Sequence, residues 1–175
     1  MNKIYIQEYK SPVGELIIGV FEDRICICDW KFRKQRLIID ERIKKYFNAD
    51  FVIENKPIIQ ETVIQLNEYF TQKREDFELP IVFAGTNFQK KVWQELQKIP
   101  FGRTLSYLQL SKNLNQPLAI RAVASANGAN AISIIVPCHR IIGSKGELVG
   151  YAGGIITKKK LLSMENKIQI EMELY

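Results

Sequence analysis

A thiol stands beside the chain's only histidine in Pro137-Cys138-His139-Arg140. The thiolate is the nucleophilic form of cysteine, and a neighbouring imidazole can take the thiol proton, so the pair reads as an activated nucleophile. A cysteine ending the apolar strand-like run 131–136 also suits plain packing, because free cysteine is among the most buried residue types. The next stretch of chain favours chemistry. Residues 141–154 carry Gly143, Gly146, Gly150, Gly153 and Gly154, and glycine lets main-chain N–H and C=O groups come close to a flat ligand. Neither G-K-[ST] nor G-x-G-x-x-G occurs there, which argues against a nucleotide-phosphate loop.

Several helices must position these groups. Residues 86–99 predict one with Phe88, Val92, Leu96 and Ile99 on a single face, broken by Pro100-Phe101-Gly102. Ser106 can cap a second that runs to Leu114, Asn115-Gln116-Pro117 makes a turn, and residues 118–127 predict a third. Two short helices across a tight polar turn fit a helix-turn-helix, and fit a plain helical hairpin equally. The segment Leu118-Ala119-Ile120-Arg121-Ala122-Val123-Ala124-Ser125-Ala126 is rich in small side chains. Such a helix could lie very close to a nucleic-acid backbone, as the minor groove requires.

In the first half, residues 3–9, 15–21 and 24–30 predict strands of a small antiparallel sheet, with Ser11-Pro12-Val13-Gly14 turning the first into the second. Helices are expected at 36–47 and 58–72, and a strand near 79–83. A boundary near 80–86 then separates an N-terminal bracing domain, 1–85, from a C-terminal domain, 86–175. The expected class is α+β: a small sheet-and-helix domain, then a mainly helical one holding the helix-turn-helix and the cysteine loop.

Charge is distributed unevenly. The net charge is +6 at pH 7, yet residues 1–85 hold 13 Lys and Arg against 14 Asp and Glu, while residues 86–175 hold 12 against 5. The basic excess sits with the cysteine loop and suits a polyanionic partner. An odd three cysteines, an N-terminus without a signal-peptide pattern and no apolar run near membrane length predict a soluble, reduced, cytoplasmic protein with no membrane partner. Strand alternation puts Cys26 and Cys28 on one face, but no second pair or nearby histidine completes four ligands, so no metal is expected.

Six blocks in order, Phe88-Gln89 with Val92-Trp93, Ile99-Pro100-Phe101-Gly102, Ser106-Tyr107, Arg121-Ala122-Val123, Pro137-Cys138-His139-Arg140-Ile141, and Gly150-Tyr151-Ala152-Gly153-Gly154 with Leu161-Leu162 and Glu165, resemble the O6-alkylguanine-DNA alkyltransferases, also called methylated-DNA protein-cysteine methyltransferases. The resemblance implies a monomer that repairs double-stranded DNA carrying O6-alkylguanine, one lesion per molecule, with cooperativity on DNA and action on O4-methylthymine left open. It implies no cofactor, because the damaged base is itself the alkyl donor.

The same resemblance assigns roles. Cys138 would attack the alkyl carbon, His139 would accept its proton through a water, Glu165 would orient the imidazole, and Tyr107 would hydrogen-bond the guanine N3. The alkyl group lies on the pairing edge inside the duplex, so the nucleotide must be extruded; Arg121 would fill its place, with Ala122 and Ser125 beside it on the DNA-reading helix. Asn130 would fasten the turn before the cysteine. Pro137, Ile141, Tyr151 and Ala152 would form the base pocket, the Ala152 N–H on guanine O6 and carbonyls near Cys138 and Ile141 on the exocyclic amine.

The chain departs from the family at Ala131, commonly proline, at Ala129, often arginine, and at Ala152, serine in some members. It also lacks the histidines that hold a structural zinc in some relatives. Two other classes use the same residues. A cysteine hydrolase would need an oxyanion hole, for which no motif stands, and a DNA-binding regulator would use the helix pair and form no adduct.

Overall fold

The computed structural model describes residues 1–173, with side chains through Asn166; residues 174 and 175, the end of the expected second domain, lie outside the described residues. The chain divides into two compact units, Met1–Thr86 and Asn87–Tyr175.

In the first unit, strands β1 (Asn2–Ser11), β2 (Gly14–Phe21), β3 (Arg24–Trp30) and β4 (Ala49–Ile53) form one sheet in the order β3-β2-β1-β4. Gly14 is required at the first hairpin: its φ is +148°, and a Cβ there would meet the Trp30 ring at 3.2 Å. Helices α1 (Arg36–Phe47) and α2 (Pro57–Phe70) bury Ile39, Ile43, Ile59 and Leu66. Pro57 opens α2, where its missing N–H costs no hydrogen bond.

Two expectations about this sheet need correction. It is mixed, because β4 pairs in parallel with β1 from Asn2↔Ala49 to Ile6↔Ile53. Asn48, at φ 48°, ends α1 in the left-handed conformation and turns the chain back towards that edge. The strand expected near 79–83 is a single parallel bridge, Ile25↔Ile81. Its two hydrogen bonds run from Ile25 N to Pro80 O and from Val82 N to Ile25 O, and Pro80 has no N–H with which to extend the ladder.

Cys26 and Cys28 lie in a β3 segment buried from Ile25 to Trp30. Burial pushes the Cys26 thiol up to about 12, against a backbone hydrogen bond that lowers it. Burial and then the Asp29 charge push Cys28 up as well, so both are protonated packing groups. Among the described residues, no three His, Cys, Asp or Glu side chains converge as a metal site would require.

The second unit is mainly helical: α3 (Asn87–Leu96), α4 (Tyr107–Asn113), α5 (Ile120–Gly128) and α6 (Ile155–Glu173), with two-residue strands β5 (Leu105–Ser106) and β6 (Ile141–Ile142) paired in parallel. Ser106 closes a capping box: its Oγ accepts from Gln109 N at 3.1 Å, and Gln109 Oε1 accepts from Ser106 N at 2.8 Å. Trp93 Nε1 donates to Ala126 O at 2.8 Å and ties α3 to α5.

Residues 131–136 are not the strand that their apolar run suggests. They form consecutive turns, with Val136 N on Ile132 O at 2.9 Å and Ile134 at φ 70°. The buried Asn130 amide holds both ends, accepting from Ile132 N and donating to Val136 O, each at 2.9 Å. A β-branched residue in the left-handed region costs on the order of 1–3 kcal/mol and persists only where its surroundings impose it. No described helix is long and apolar enough to cross a membrane.

Candidate active site

The turns deliver the chain to a 3-10 turn, Cys138–Arg140, with Cys138 N on Val136 O at 2.8 Å and Arg140 N on Pro137 O at 3.0 Å. Cys138 is 4% exposed, and His139 is fully buried. Helix α6 packs against this turn and presents Lys158, Leu161, Leu162 and Glu165 as its buried stripe. Their spacing of i, i+3, i+4 and i+7 is one helical face, and both ends of that face are charged.

His139 Nε2 lies 2.8 Å from Glu165 Oε1. An ionised carboxylate only accepts, so Nε2 carries the donated hydrogen. Glu165 also receives Arg140, with Nη2 on Oε1 at 2.9 Å and Nε on Oε2 at 3.1 Å. Burial raises the Glu165 pKa, but the hydrogen bonds and charges of His139 and Arg140 outweigh it and hold the carboxyl at about 2. Burial lowers the His139 pKa, the charge and hydrogen bond of Glu165 oppose it, and the Arg140 and Lys158 charges lower it further, with a net lowering. With its pKa lowered, His139 is a neutral imidazole at pH 7, and the Glu165 carboxylate is then balanced by the permanent charge of Arg140.

Tyr107, at the start of α4, donates its hydroxyl to Val149 O at 3.2 Å. Burial, then the nearby Cys138 charge, raises its pKa despite a hydrogen bond with Asn127, so the phenol stays protonated. The Tyr151 ring lies edge-on to His139 with centroids 6.4 Å apart. Pro137 immediately precedes the 3-10 turn, and Ala152 is half-buried in the loop that leads into α6. Pro137, Tyr151 and Ala152 thus come from the two segments that flank β6.

On α5, Arg121, Ala122 and Ser125 are exposed on one face with Leu118 just ahead of the helix, while Val123, Ala126 and Asn127 point into the core. Ala131 is buried and Ala129 half-buried.

Sequence reasoning missed Lys158. It is fully buried, and its ammonium donates to the carbonyls of Ile141, of Val149 at 3.1 Å and of Gly150 at 3.2 Å. Three donors meet three acceptors. The Ile141 carbonyl, expected to read a guanine amine, is one of these three acceptors. Within Lys158-Lys159-Lys160 the residue reads as solvated; only its place on the apolar stripe could have marked it. Lys158→Met should unclasp the Val149–Gly150 loop, with backbone amide exchange at residues 149–151 at least tenfold faster and stability lower by about 1–3 kcal/mol. Hydrogen exchange read by mass spectrometry, together with urea unfolding, checks this; unchanged exchange would show the ammonium to be idle.

The family profile described as the 6-O-methylguanine DNA methyltransferase DNA binding domain matches residues 87–167, and that family's ribonuclease-like domain matches residues 4–83. The methylated-DNA–protein-cysteine methyltransferase of Methanosarcina barkeri (strain Fusaro / DSM 804) is 40% identical over 162 residues, spanning 93% of this chain and 97% of its own. The inducible methylated-DNA–protein-cysteine methyltransferase of Bacillus subtilis (strain 168) is 40% identical over 134 residues, 77% of this chain and 75% of its own. The crystal structure of Mycobacterium tuberculosis OGT in complex with DNA has a TM-score of 0.79 at 33% identity and covers 93% of each chain.

Proposed function

The chain belongs to the 6-O-methylguanine DNA methyltransferase family, and from that premise we propose that it repairs DNA by moving the alkyl group of an O6-alkylguanine irreversibly onto its own Cys138. Its enzymatic class is that of the methylated-DNA–protein-cysteine methyltransferases. The observation that carries the residue assignment is the buried His139–Glu165 contact of 2.8 Å directly beside Cys138.

In the reaction, His139 Nδ1 takes the Cys138 proton through a water between them, and the imidazolium is offset by Glu165. The thiolate attacks the alkyl carbon in line; an S–C bond forms, the C–O6 bond breaks, and its electron pair stays on the purine. The proton then returns to the leaving guanine, whose developing charge is offset by the Tyr107 hydroxyl. That hydroxyl must swing from Val149 O towards the base. A thioether is a poor leaving group, so the cysteine is spent after one turnover.

Access requires the nucleotide to leave the stack. The exposed face of α5 carries the small side chains of Ala122 and Ser125 beside Arg121, which suits close approach in the minor groove, and Arg121 can stack in the vacated position. The basic excess of residues 86–175 supplies sequence-independent phosphate attraction. On this reading the protein acts as a monomer on double-stranded DNA.

The test is protein mass after incubation with a duplex bearing one O6-methylguanine. The expected product gains a single methyl group per chain, mapped to Cys138, and gains no more with excess substrate. Repeated turnover without an adduct would point to a hydrolase, and DNA binding without transfer to a regulator.

A further inference from the structure

His139 and Arg140 are both buried against Glu165, and of these two only Arg140 carries a fixed charge. Arg140 engages both carboxylate oxygens and donates from Nη1 to Ile99 O at 2.7 Å, so the guanidinium is tied to the turn that follows α3 as well as to α6. His139 Nε2 shares Oε1 with it. A guanidinium does not lose its proton in proteins, so the carboxylate is balanced whether or not the imidazole is protonated. The ring's other nitrogen, Nδ1, is buried with no hydrogen-bond partner among the described residues. A second proton on the ring would occupy that nitrogen and remove the lone pair that has to receive the Cys138 proton.

We propose that Arg140 is a positioning residue for alkyl transfer: by balancing Glu165 it keeps His139 neutral at rest, with Nδ1 open to receive the Cys138 proton. This rests on the reading of His139 as proton acceptor. Without the guanidinium charge, Glu165 draws a proton from solvent onto His139. Nδ1 is then occupied, and the thiol keeps its hydrogen. The other groups facing the ring are Glu165 and Lys158 from α6, Cys138 and Arg140 on either side, and the Tyr151 ring. Lys158 acts in the same sense as Arg140 and Glu165 in the opposite one, so losing Arg140 moves His139 protonation to higher pH.

The experiment measures single-turnover methyl transfer from an O6-methylguanine duplex across pH for the wild type, Arg140→Gln and Arg140→Lys. Each rate is taken on the fraction of chains that accept a methyl group, which removes misfolded protein from the comparison. Arg140→Gln keeps hydrogen-bonding capacity without the charge. It should be roughly tenfold slower at about pH 6 yet within about threefold of wild type at about pH 8.5. Arg140→Lys keeps the charge and loses the fork, so its profile should be lower at every pH with the acid limb in place. A glutamine profile parallel to wild type overturns the proposal. Should Arg140→Gln fail to fold, nitrogen NMR of the wild type decides, since the only histidine in the chain gives one pair of ring-nitrogen signals. A neutral ring protonated on Nε2 at about pH 7 supports the proposal, and a doubly protonated ring overturns it. Absence of methyl transfer by the wild type would overturn the proposed function and this inference with it, a result distinct from parallel profiles.

Discussion

Cys138→Ser transfers no measurable methyl group from an O6-methylguanine duplex, a loss of about 10⁴-fold or more, while binding that duplex within about threefold of the wild type. The asymmetry follows from the site. Cys138 is 4% exposed, and a hydroxyl there is far harder to ionise than a thiol and a poorer nucleophile towards carbon. Serine is slightly smaller, so the 3-10 turn, the His139–Glu165–Arg140 network and the Asn130 clasp all persist. The exposed α5 face takes no part in that network. Mass spectrometry reads the adduct, and fluorescence anisotropy with a labelled duplex reads binding. A serine chain that still acquires methyl groups would remove Cys138 from the mechanism.

Arg121→Ala should separate recognition from chemistry. Alkyl transfer from duplex DNA is expected to fall by about 10–100-fold, while reaction with free O6-benzylguanine stays within about twofold. Extruding a nucleotide costs a few kcal/mol of lost stacking and pairing, and the side chain that fills the gap returns part of it. A free base needs no extrusion. The structure suits this division, because Arg121 is exposed in the first turn of α5, on the face opposite Val123 and Asn127, and takes no part in the His139–Glu165–Arg140 network. Rates on the two substrates, measured on one preparation, check it. Equal losses would mean that the change disturbs folding or that Arg121 acts in the chemical step.

Much of the site was legible because its signals are local. Cys138 and His139 are adjacent in the chain, Ser106 and Gln109 lie at capping-box spacing, and α5 shows its small-residue face at helical period. Glu165 was reached only through the family pattern, since a glutamate 26 residues beyond the histidine carries no signal of its own. Arg140 closes the tetrapeptide Pro137-Cys138-His139-Arg140 but had no role there. Neither its hold on Glu165 nor its reach to Ile99, 41 residues away, has a periodicity that sequence reasoning could detect.

By itself the sequence determined the two-part α+β organisation, the hairpins of β1 to β3, the helices with their capping and breaking residues, and the adjacency of a thiol and an imidazole along the chain. These depend on backbone preferences and on side chains within a turn or two of each other. Only the tertiary structure decided that β4 joins β1 in parallel, that residues 131–136 turn instead of extending, and that Lys158 and Arg140 are buried cations. Parallel pairing needs a partner supplied across a long connection. The strained Ile134 conformation coincides with the clasp that Asn130 places on both ends of that segment. A cation is driven inside only where remote carbonyls or a carboxylate already wait to receive it, and that convergence exists only once the chain has folded.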